Sequence, residues 1–380
     1  MRKKSATDTI IGIDARAFST SWTGIGRYLR NLTRELVVID QPYKFVVFLP
    51  PQEMDSFDAP NDRVKKVSVD IPHYSWQEQI FFKRYIGREK IDLMHFPHFN
   101  IPLTYRKPFV ATIHDLTLSF FPGQKMTGFV HRIGYQMAIR HAATHSSKVI
   151  AVSNNTKRDL EQLMDIDQSK VHVIYESVEF DKYHTNHDPE EIQRVTRSSG
   201  IRKPFLLYAG VWRSHKNILG MLEGFRKILD RGLDYQLVIT GKPDPHYPEI
   251  QDKIERMNLG NNVVLPGFVS DSELPLLYAG AGLFLFPSFY EGFGLPPLEA
   301  MASGTPVVSS NTSAMPEVLN DAVEFFDPYD TEDMARSLEK VLRNQSYQEE
   351  LRNKGLVHVK QFSWKKMADE TLKVYKSVLK

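Results

Sequence analysis

Two carboxylates separated by seven residues, Glu291 and Glu299, lie in a glycine-rich segment, 289–306, with the sequence FYEGFGLPPLEAMASGTP. The segment follows an apolar run typical of a strand and opens a run typical of a helix. Gly292 and Gly294 leave the backbone free to approach a ligand closely, and a helix N-terminus favours an anion such as pyrophosphate. Two carboxylates so placed could accept hydroxyl groups of one elongated ligand. The alternative is a glycine loop beside two unrelated carboxylates.

The elements that must position this segment alternate along the chain. Short apolar, β-branched runs are separated by stretches of helical period, which indicates parallel strands joined by crossover helices. A helix beginning near Gly26 has an apolar face that we expect to pack on the first sheet. The predicted strands of the first half are 9–13, 45–49, 64–69, 91–96, 109–114, 148–152 and 171–175. Those of the second half are 205–209, 235–240, 263–265, 283–286, 306–309 and 322–326.

The length of 380 residues and the apolar fraction of 42% suit two domains with separate cores. We predict an α/β fold with a Rossmann-like N-terminal domain over 1–182 and a second over 203–362. The polar stretch 183–202 is predicted to be a linker. The amphipathic segment 363–380 is predicted to be a helix that packs back on the N-terminal domain. Ligands of such sheets bind at the carboxyl ends of the strands.

Composition excludes several classes of function. The 48 basic residues nearly balance the 46 acidic ones, so no strong field favours nucleic acid. The absence of cysteine excludes disulfides, thiolate metal sites and cysteine nucleophiles. No apolar run reaches the roughly 18 residues of a membrane span, and the apolar run at 10–13 is too short for a signal peptide. We therefore expect a cytoplasmic protein.

The segment 289–306 resembles the Glu-x7-Glu signature of family 4 glycosyltransferases, and its proline-rich turn resembles that of bacterial mannosyltransferases of polysaccharide assembly. The resemblance extends over most of the chain and is strongest over 208–317. It implies the GT-B fold, with two doubly wound domains facing across a cleft. It also implies transfer of a sugar from a nucleotide diphosphate donor with retention of anomeric configuration.

Further implied roles concern the connection 207–217. Many relatives carry an arginine directly after the glycine that corresponds to Gly210 and a lysine five residues later, both holding the diphosphate. Lys216 fits the second position, but Val211 occupies the first. Arg213 could supply the missing guanidinium from two residues further on, because charge-assisted contacts hold a phosphate without a metal.

The resemblance also assigns the groups that hold the donor. Glu291 would bind hydroxyls of the donor sugar and stabilise developing positive charge, while Glu299 would bind the ribose. The loop 266–271 would cradle the nucleobase through its backbone, although Asp271 could simply cap the next helix. A turn at 313–317 also matches the family, without a role that its residues suggest. The donor-binding set is Gly24, Gly26, Gly210, Arg213, Lys216, Val269, Gly292, Phe293, Gly294, Leu295 and Glu299.

In the N-terminal half, the family places the loop of Gly24 and Gly26 over the donor phosphates. The third glycine of a dinucleotide fingerprint is missing, with Leu29 in its place, which argues against NAD; an ordinary tight turn is the alternative. His114 stands at the end of a strand, where the family places a histidine that contacts the transferred sugar. A lone histidine is otherwise more often structural. Asp115 could orient His114 or cap the next element.

For the mechanism, the resemblance implies attack on the face from which the diphosphate departs. Catalysis would then involve Glu291, His114, Lys216 and Arg213, with the two cations stabilising charge on the leaving group. No Asp-x-Asp pair lies in a suitable loop, so we expect no metal and no other cofactor. GDP-mannose is the first candidate donor and a UDP-hexose the second, with a glycan or lipid-linked sugar as acceptor. A nucleotide-sugar epimerase and an inactive sugar-binding relative are the rival classes.

A run without acidic residues between Asp115 and Asp159 carries six positive charges. Its middle, 127–143, has helical spacing with both apolar and basic positions. It could contact anionic headgroups at the inner face of the cell membrane, or a lipid diphosphate carrier. The alternative is a helix whose apolar side packs on the sheet and whose polar side is solvated.

Overall fold

The computed structural model describes residues 8–19, 23–123, 129–241, 244 and 246–379. The chain forms two compact units, each built around one parallel sheet. Unit 1 comprises Met1–Leu116, Gly128–Glu176 and Ser363–Lys380, and unit 2 comprises Thr117–Thr127 and Ser177–Phe362. All thirteen strands predicted from the sequence occur in the described residues, within a few positions of their expected ends.

The sheet of unit 1 has seven parallel strands in the order β3-β2-β1-β4-β5-β6-β7. Its inner strands are buried on both faces, which explains their continuous apolar runs. The order reverses between β1 and β4, and this switch point is where ligands of doubly wound sheets bind. The strands are β1 Ile10–Asp14, β2 Lys44–Leu49, β3 Val64–Ser68, β4 Leu93–Phe96, β5 Phe109–Ile113, β6 Lys148–Ala151 and β7 Val171–Val173.

The sheet of unit 2 has six parallel strands in the order β10-β9-β8-β11-β12-β13. Its switch point lies between β8 and β11, where Leu206 pairs with Leu283 and Leu207 with Phe284. The connections that leave these two strands therefore begin side by side. The strands are β8 Phe205–Tyr208, β9 Gln236–Thr240, β10 Val263–Gly267, β11 Leu283–Phe286, β12 Val307–Ser310 and β13 Glu324–Phe326.

Helices cover the sheets, and a π-helical turn, Glu78–Phe82, precedes one of them. Within the described parts, no helix combines the length and apolarity needed to cross a bilayer. The α-helices are α1 Thr23–Val38, α2 Lys83–Arg88, α3 Thr117–Phe120, α4 Phe129–His145, α5 Asn154–Met164, α6 Pro189–Ser198, α7 Ile218–Asp230, α8 Glu249–Arg256, α9 Leu274–Gly280, α10 Leu295–Ala302, α11 Met315–Leu319, α12 Thr331–Leu342, α13 Gln345–His358 and α14 Trp364–Leu379.

The core of unit 1 takes in both ends of the chain. Leu29, Leu32 and Leu36 of α1 are buried in the same cluster as Leu372 and Tyr375 of α14. A hydrogen bond of 2.6 Å between the Tyr375 hydroxyl and His95 Nδ1 ties α14 to β4. The C-terminal helix is thus part of the packing that supports the first sheet.

The observed division of the chain differs from the predicted one in three places. The segment 183–202 is not a linker, because α6 lies within it and packs against α9 in unit 2. The segment is polar because a short helix needs few core contacts. Val195 in α6 supplies most of these contacts, and Ile201 is buried just beyond the end of the helix. The units meet in sequence between Glu176 and Ser177, before the predicted limit at 182, and Thr117–Thr127 belongs to unit 2.

Candidate active site

The two connections at the switch point of unit 2 bring Lys216 and Glu291 into contact. Lys216 Nζ donates to Glu291 Oε1 over 2.5 Å, and the two side chains are only 13% and 14% exposed. The backbone N–H of Phe289 donates to the carbonyl of His215 over 2.8 Å and joins the two loops. Two residues singled out from distant parts of the sequence therefore form one half-buried ion pair.

Lys216 ends a 3-10 turn, Ser214–Lys216, whose geometry is held by its neighbour Asn217. Asn217 adopts a left-handed backbone with φ of 53°, which asparagine tolerates better than most residues. Its side chain caps α7 by accepting the N–H of Gly220 and donates to the carbonyl of Pro328 over 2.9 Å. The backbone from which the Lys216 side chain extends is therefore fixed by the fold.

Arg213 stands at the start of the same turn, where its carbonyl accepts the N–H of Lys216. Its side chain is exposed, and its part in phosphate binding stays a prediction. Packing explains the glycine at 210, because a Cβ atom there would lie 2.9 Å from the Tyr208 hydroxyl. The side chain of Val211, which stands where many relatives have arginine, is 41% exposed.

The glycine turn before α10 is tightly enclosed. Gly294 has φ of 95°, and a Cβ atom there would lie 2.5 Å from Met315 Cε. Gly292 is buried, and so are the side chains of Phe293 and Leu295, which are 4% and 7% exposed. Those two side chains are used in packing, and the part in donor binding predicted for both residues stays a prediction.

Glu299 differs from Glu291 in its surroundings. It is 2% exposed on α10, and the Tyr278 hydroxyl donates to its Oε2 over 3.1 Å. The structure thus places one carboxylate of the signature beside Lys216 and the other in a buried contact with α9. The ribose contact predicted for Glu299 stays a prediction.

The loop after β10 is shaped by Gly267, whose φ is 77°. Phe268 is 71% exposed beyond it, and Val269 is half-buried. The N-cap of the following helix α9 is Glu273, whose carboxylate accepts the hydroxyl of Ser270 over 2.7 Å. Asp271 is therefore not the capping residue, and the nucleobase contact of this loop stays a prediction.

A short segment from the first half of the chain supports the Glu291 loop within unit 2. Phe121 stacks on Phe289 with ring centroids 6.1 Å apart, and Phe120 packs on Tyr290 at 5.1 Å. This segment was predicted to lie in the N-terminal domain, so the contact was not expected from the sequence. The adjacent aromatic residues in the two segments were the sequence feature that indicated a packing role.

Ser313, for which the sequence suggested no role, holds the backbone of Glu291. Its hydroxyl accepts the N–H of Glu291 over 2.8 Å and also donates to the Glu291 carbonyl. Its own backbone is in the left-handed region, with φ of 58°, a conformation that costs a serine about 1 kcal/mol or more. This strained turn fixes the backbone of the predicted catalytic glutamate.

We expect Ser313→Gly to reduce the kcat of transfer by about tenfold, because the glycine keeps the backbone but releases Glu291 from both hydrogen bonds. Steady-state kinetics should show the loss mainly in kcat, with a melting temperature close to that of the wild type. Ser198→Ala is the matched control, since it removes a serine bond to a backbone carbonyl on α6. Unchanged kcat in Ser313→Gly would contradict the positioning role.

His114 in unit 1 has both ring nitrogens engaged. Nδ1 lies 2.9 Å from Glu176 Oε1 and Nε2 lies 3.0 Å from the carbonyl oxygen of Pro97. The ring of Tyr28 packs edge-on against the imidazole at 4.8 Å. A carbonyl and a carboxylate both accept, so this geometry fits a protonated imidazolium that donates twice.

The electrostatics of His114 agree with that protonation state. Burial by itself lowers the pKa of His114, but the hydrogen bond and negative charge of Glu176 outweigh it, helped by the Pro97 carbonyl and Asp115. The net pKa lies above the usual value of 6.5. The sugar contact predicted for His114 stays a prediction, and the structure adds Glu176 as its partner.

A buried chain of hydrogen bonds supports the ring from behind. Tyr28 bonds to Thr112 over 3.1 Å, and Thr112 bonds to His95 Nε2 over 2.8 Å, which in turn connects to Tyr375 of α14. Burial, together with the nearby charge of His114, lowers the pKa of His95 to about 3. The pKa of His95 is thus lowered, whereas that of His114 is raised.

The raised pKa of His114 predicts a pH-dependent contribution to stability. Because the folded pKa exceeds the unfolded one, the stabilisation is complete below about pH 6.5 and is lost as pH rises through the folded pKa. We expect Glu176→Gln to lower the melting temperature by a few degrees near pH 6, with a smaller difference near pH 9. A difference that is independent of pH would contradict the imidazolium assignment, and an NMR titration of His114 measures it directly.

The glycines predicted to lie over the donor phosphates occupy the first turn of α1. Gly24 is exposed, and a Cβ atom there would meet nothing within 4 Å. Gly26 is buried. Packing thus does not explain a glycine at 24, and its phosphate contact stays a prediction.

Two protein families match the chain, one in each half. The family described as "Glycosyltransferase Family 4" matches residues 22–182, and that described as "Glycosyl transferases group 1" matches residues 190–358. A relative from Escherichia coli named O-antigen chain mannosyltransferase B is 28% identical, over 93% of this chain and 96% of its own.

Two solved structures share the fold over nearly the entire chain. Sucrose-phosphate synthase from Thermosynechococcus elongatus has a TM-score of 0.79 at 18% identity and covers 97% of this chain and 98% of its own. HepE from Anabaena, in complex with UDP and glucose, has a TM-score of 0.75 at 17% identity, with 97% and 100% covered. The two family matches, which follow one another along the chain, identify it as a glycosyltransferase, and the solved structures show that it has the GT-B fold.

Proposed function

We propose that this glycosyltransferase is a retaining mannosyltransferase that transfers mannose from GDP-mannose to a glycan or lipid-linked sugar. The observation that carries the proposal is the pairing of Lys216 with Glu291 at the switch point of unit 2. One group suits a diphosphate and the other suits sugar hydroxyls. The choice of mannose is supported by the name of the E. coli relative, which describes an O-antigen mannosyltransferase.

In the proposed reaction, the oxygen of an acceptor hydroxyl bonds to the anomeric carbon while the bond from that carbon to the diphosphate oxygen breaks. The leaving diphosphate takes the hydroxyl proton, and attack occurs on the face from which it departs, so configuration is retained. The diphosphate competes with Glu291 for the Lys216 ammonium. This exchange leaves the Glu291 carboxylate able to accept sugar hydroxyls.

We propose that no metal takes part, since Lys216 and Arg213 supply positive charge for the leaving group. Transfer should then continue unchanged in excess EDTA. Activity that is lost with the chelator and returns with Mg²⁺ or Mn²⁺ would contradict this part of the proposal.

The donor is tested by thermal shift with GDP, UDP, GDP-mannose and UDP-hexoses, because a specific ligand stabilises the folded state by mass action. We expect the largest shift with GDP-mannose, and NMR of the glycoside should show the donor's anomeric configuration. UDP-hexoses are the second candidates, since the structural neighbour HepE is described with UDP and glucose. A larger shift with UDP-glucose would favour them, whereas rapid release of free sugar without acceptor would favour an epimerase.

A further inference from the structure

The connection from β13 to α12, residues 327–330, carries an aromatic ring that is packed on one side and open on the other. The side chain of Tyr329 is 69% exposed. Its ring nevertheless stacks on Phe289, with 4.7 Å between the ring centroids and 20° between the planes. Because the stack covers one face of the ring, the exposed area belongs to the other face and to the ring edge. Tyr329 thus presents a flat aromatic surface to solvent.

Hydrogen bonds hold the turn that carries this ring. The N–H of Tyr329 donates to Asp327 Oδ1 over 2.9 Å, and the N–H of Asp330 donates to the Asp327 carbonyl over 3.1 Å. The carbonyl of Pro328 accepts the side chain of Asn217 over 2.9 Å. A ring fixed in this way loses little conformational freedom when a ligand covers it, which favours binding.

Both contacts of this turn lead to the predicted catalytic pair. Phe289, under the ring, precedes Glu291 by two residues in the loop after β11, and Asn217 directly follows Lys216. All these connections leave the carboxyl ends of strands in the sheet of unit 2, the edge at which ligands of such sheets bind. A ligand on the ring of Tyr329 therefore lies at the same edge of the sheet as the ion pair.

The charge around the ring limits what binds there, because the segment 327–333 is acidic. It contains no basic residue and four acidic ones, Asp327, Asp330, Glu332 and Asp333. Carboxylates disfavour phosphates, anionic lipids and nucleic acids. A neutral sugar suits both features, because its hydroxyl groups donate to carboxylates and its C–H groups lie against the negative face of an aromatic ring.

A basic peptide is the other partner that suits an aromatic ring among carboxylates. The connection that Asn217 ties to this turn carries Arg213 and Lys216, and their positive charges disfavour such a peptide. The observations therefore favour the neutral sugar.

From these observations we propose that the ring of Tyr329 is a stacking platform for a sugar residue of the acceptor glycan. This role rests on the proposed function, because the glycan is the acceptor of that reaction. Stacking on the open face strengthens the binding of glycans that are long enough to reach the ring. Tyr329 is thus a residue that determines acceptor specificity and takes no part in the chemical step.

The test is an NMR titration of the full chain with short manno- and gluco-oligosaccharides in the absence of a donor. Tyr329→Ala should raise the Kd by about tenfold, since one aromatic stacking contact contributes about that factor. Tyr329→Phe keeps the ring and should restore the binding. Saturation transfer from the protein should be strongest for the C–H protons on one face of a single sugar residue. The melting temperature of each variant shows that it is folded.

The control is Val357→Ala, which shortens a similarly exposed apolar side chain (68%) on α13 of unit 2 and should leave the Kd unchanged. In steady-state transfer assays, Tyr329→Ala should raise the KM for the oligosaccharide acceptor by about tenfold and leave kcat near the wild-type value. If the ring acted only by supporting Phe289 in the loop of Glu291, kcat would fall and the KM would stay the same. That result would overturn the platform role.

Equal Kd values for the wild type and Tyr329→Ala would also overturn the proposal, and so would the absence of oligosaccharide binding by the wild type. Salt-sensitive binding of oligolysine that Tyr329→Ala abolishes would overturn it in favour of a basic peptide. Failure of the proposed function is detected separately, as the absence of transfer and of a thermal shift with nucleotide sugars in the wild type. The titration without donor does not depend on either measurement.

Discussion

Replacing Glu291 with glutamine is expected to lower the kcat of sugar transfer by about 10²–10³-fold, the usual loss when one group that stabilises transition-state charge is removed. Glu291 is held by Lys216 through its side chain and by Ser313 through its backbone. Glutamine keeps the shape and leaves an oxygen to accept from Lys216, so the fold should persist. The measurement is kcat with saturating donor, together with the melting temperature.

The matched control for Glu291→Gln is Glu223→Gln, which also removes a carboxylate paired with a lysine in unit 2, here Lys253. That pair lies between α7 and α8 and is half exposed, so the control should keep full activity. Turnover at the wild-type rate in Glu291→Gln would reject the assignment. A melting temperature that falls in parallel with kcat would mean that the substitution acts through folding instead.

Replacing Lys216 with methionine is expected to reduce kcat/KM by about 10²–10³-fold and to abolish stabilisation by nucleoside diphosphates. The Lys216 side chain is 13% exposed and ends a turn that Asn217 closes, so its backbone is already fixed before the proposed phosphate binds. Methionine keeps the length and the apolar contacts of the lysine stem. The measurements are kcat/KM for the donor and the thermal shift with GDP or UDP.

Arg213→Met tests the second cation in the same assays. If Arg213 supplies the guanidinium that many relatives carry at the position of Val211, donor binding should weaken in both variants. Loss of binding in Lys216→Met but not in Arg213→Met would leave Lys216 as the tested cation that holds the diphosphate. Lys253→Met is the control, since it breaks the pair with Glu223 away from the site.

The substitutions at 216 and 291 should not be additive. The two charges touch, so removing one leaves the other half-buried and without its opposite charge. The double variant Lys216→Met with Glu291→Gln is therefore expected to melt no lower than the less stable single variant. Its activity should be as low as that of the weaker single variant.

Much of the fold was predictable because it depends on local patterns. Each buried parallel strand is a short apolar run, and the amphipathic period of α1 is visible in the residues themselves. The glycine turn before α10 is equally local, since the need for φ of 95° at Gly294 arises within a few residues. The boundary at 182 and the linker were not predictable in this way, because the polar outer face of α6 concealed a packed helix.

The sequence by itself determined which strands and turns form and which side chains stand at strand ends, because period, glycine and helix-capping preferences act over a few residues. Only the tertiary structure decided the hydrogen bonds of three predicted site residues. Glu291 bonds to Ser313 and His114 bonds to Glu176. Glu299 is buried and bonds to Tyr278. These contacts join residues far apart in the chain. Their geometry depends on the order of strands in each sheet, which no local pattern specifies.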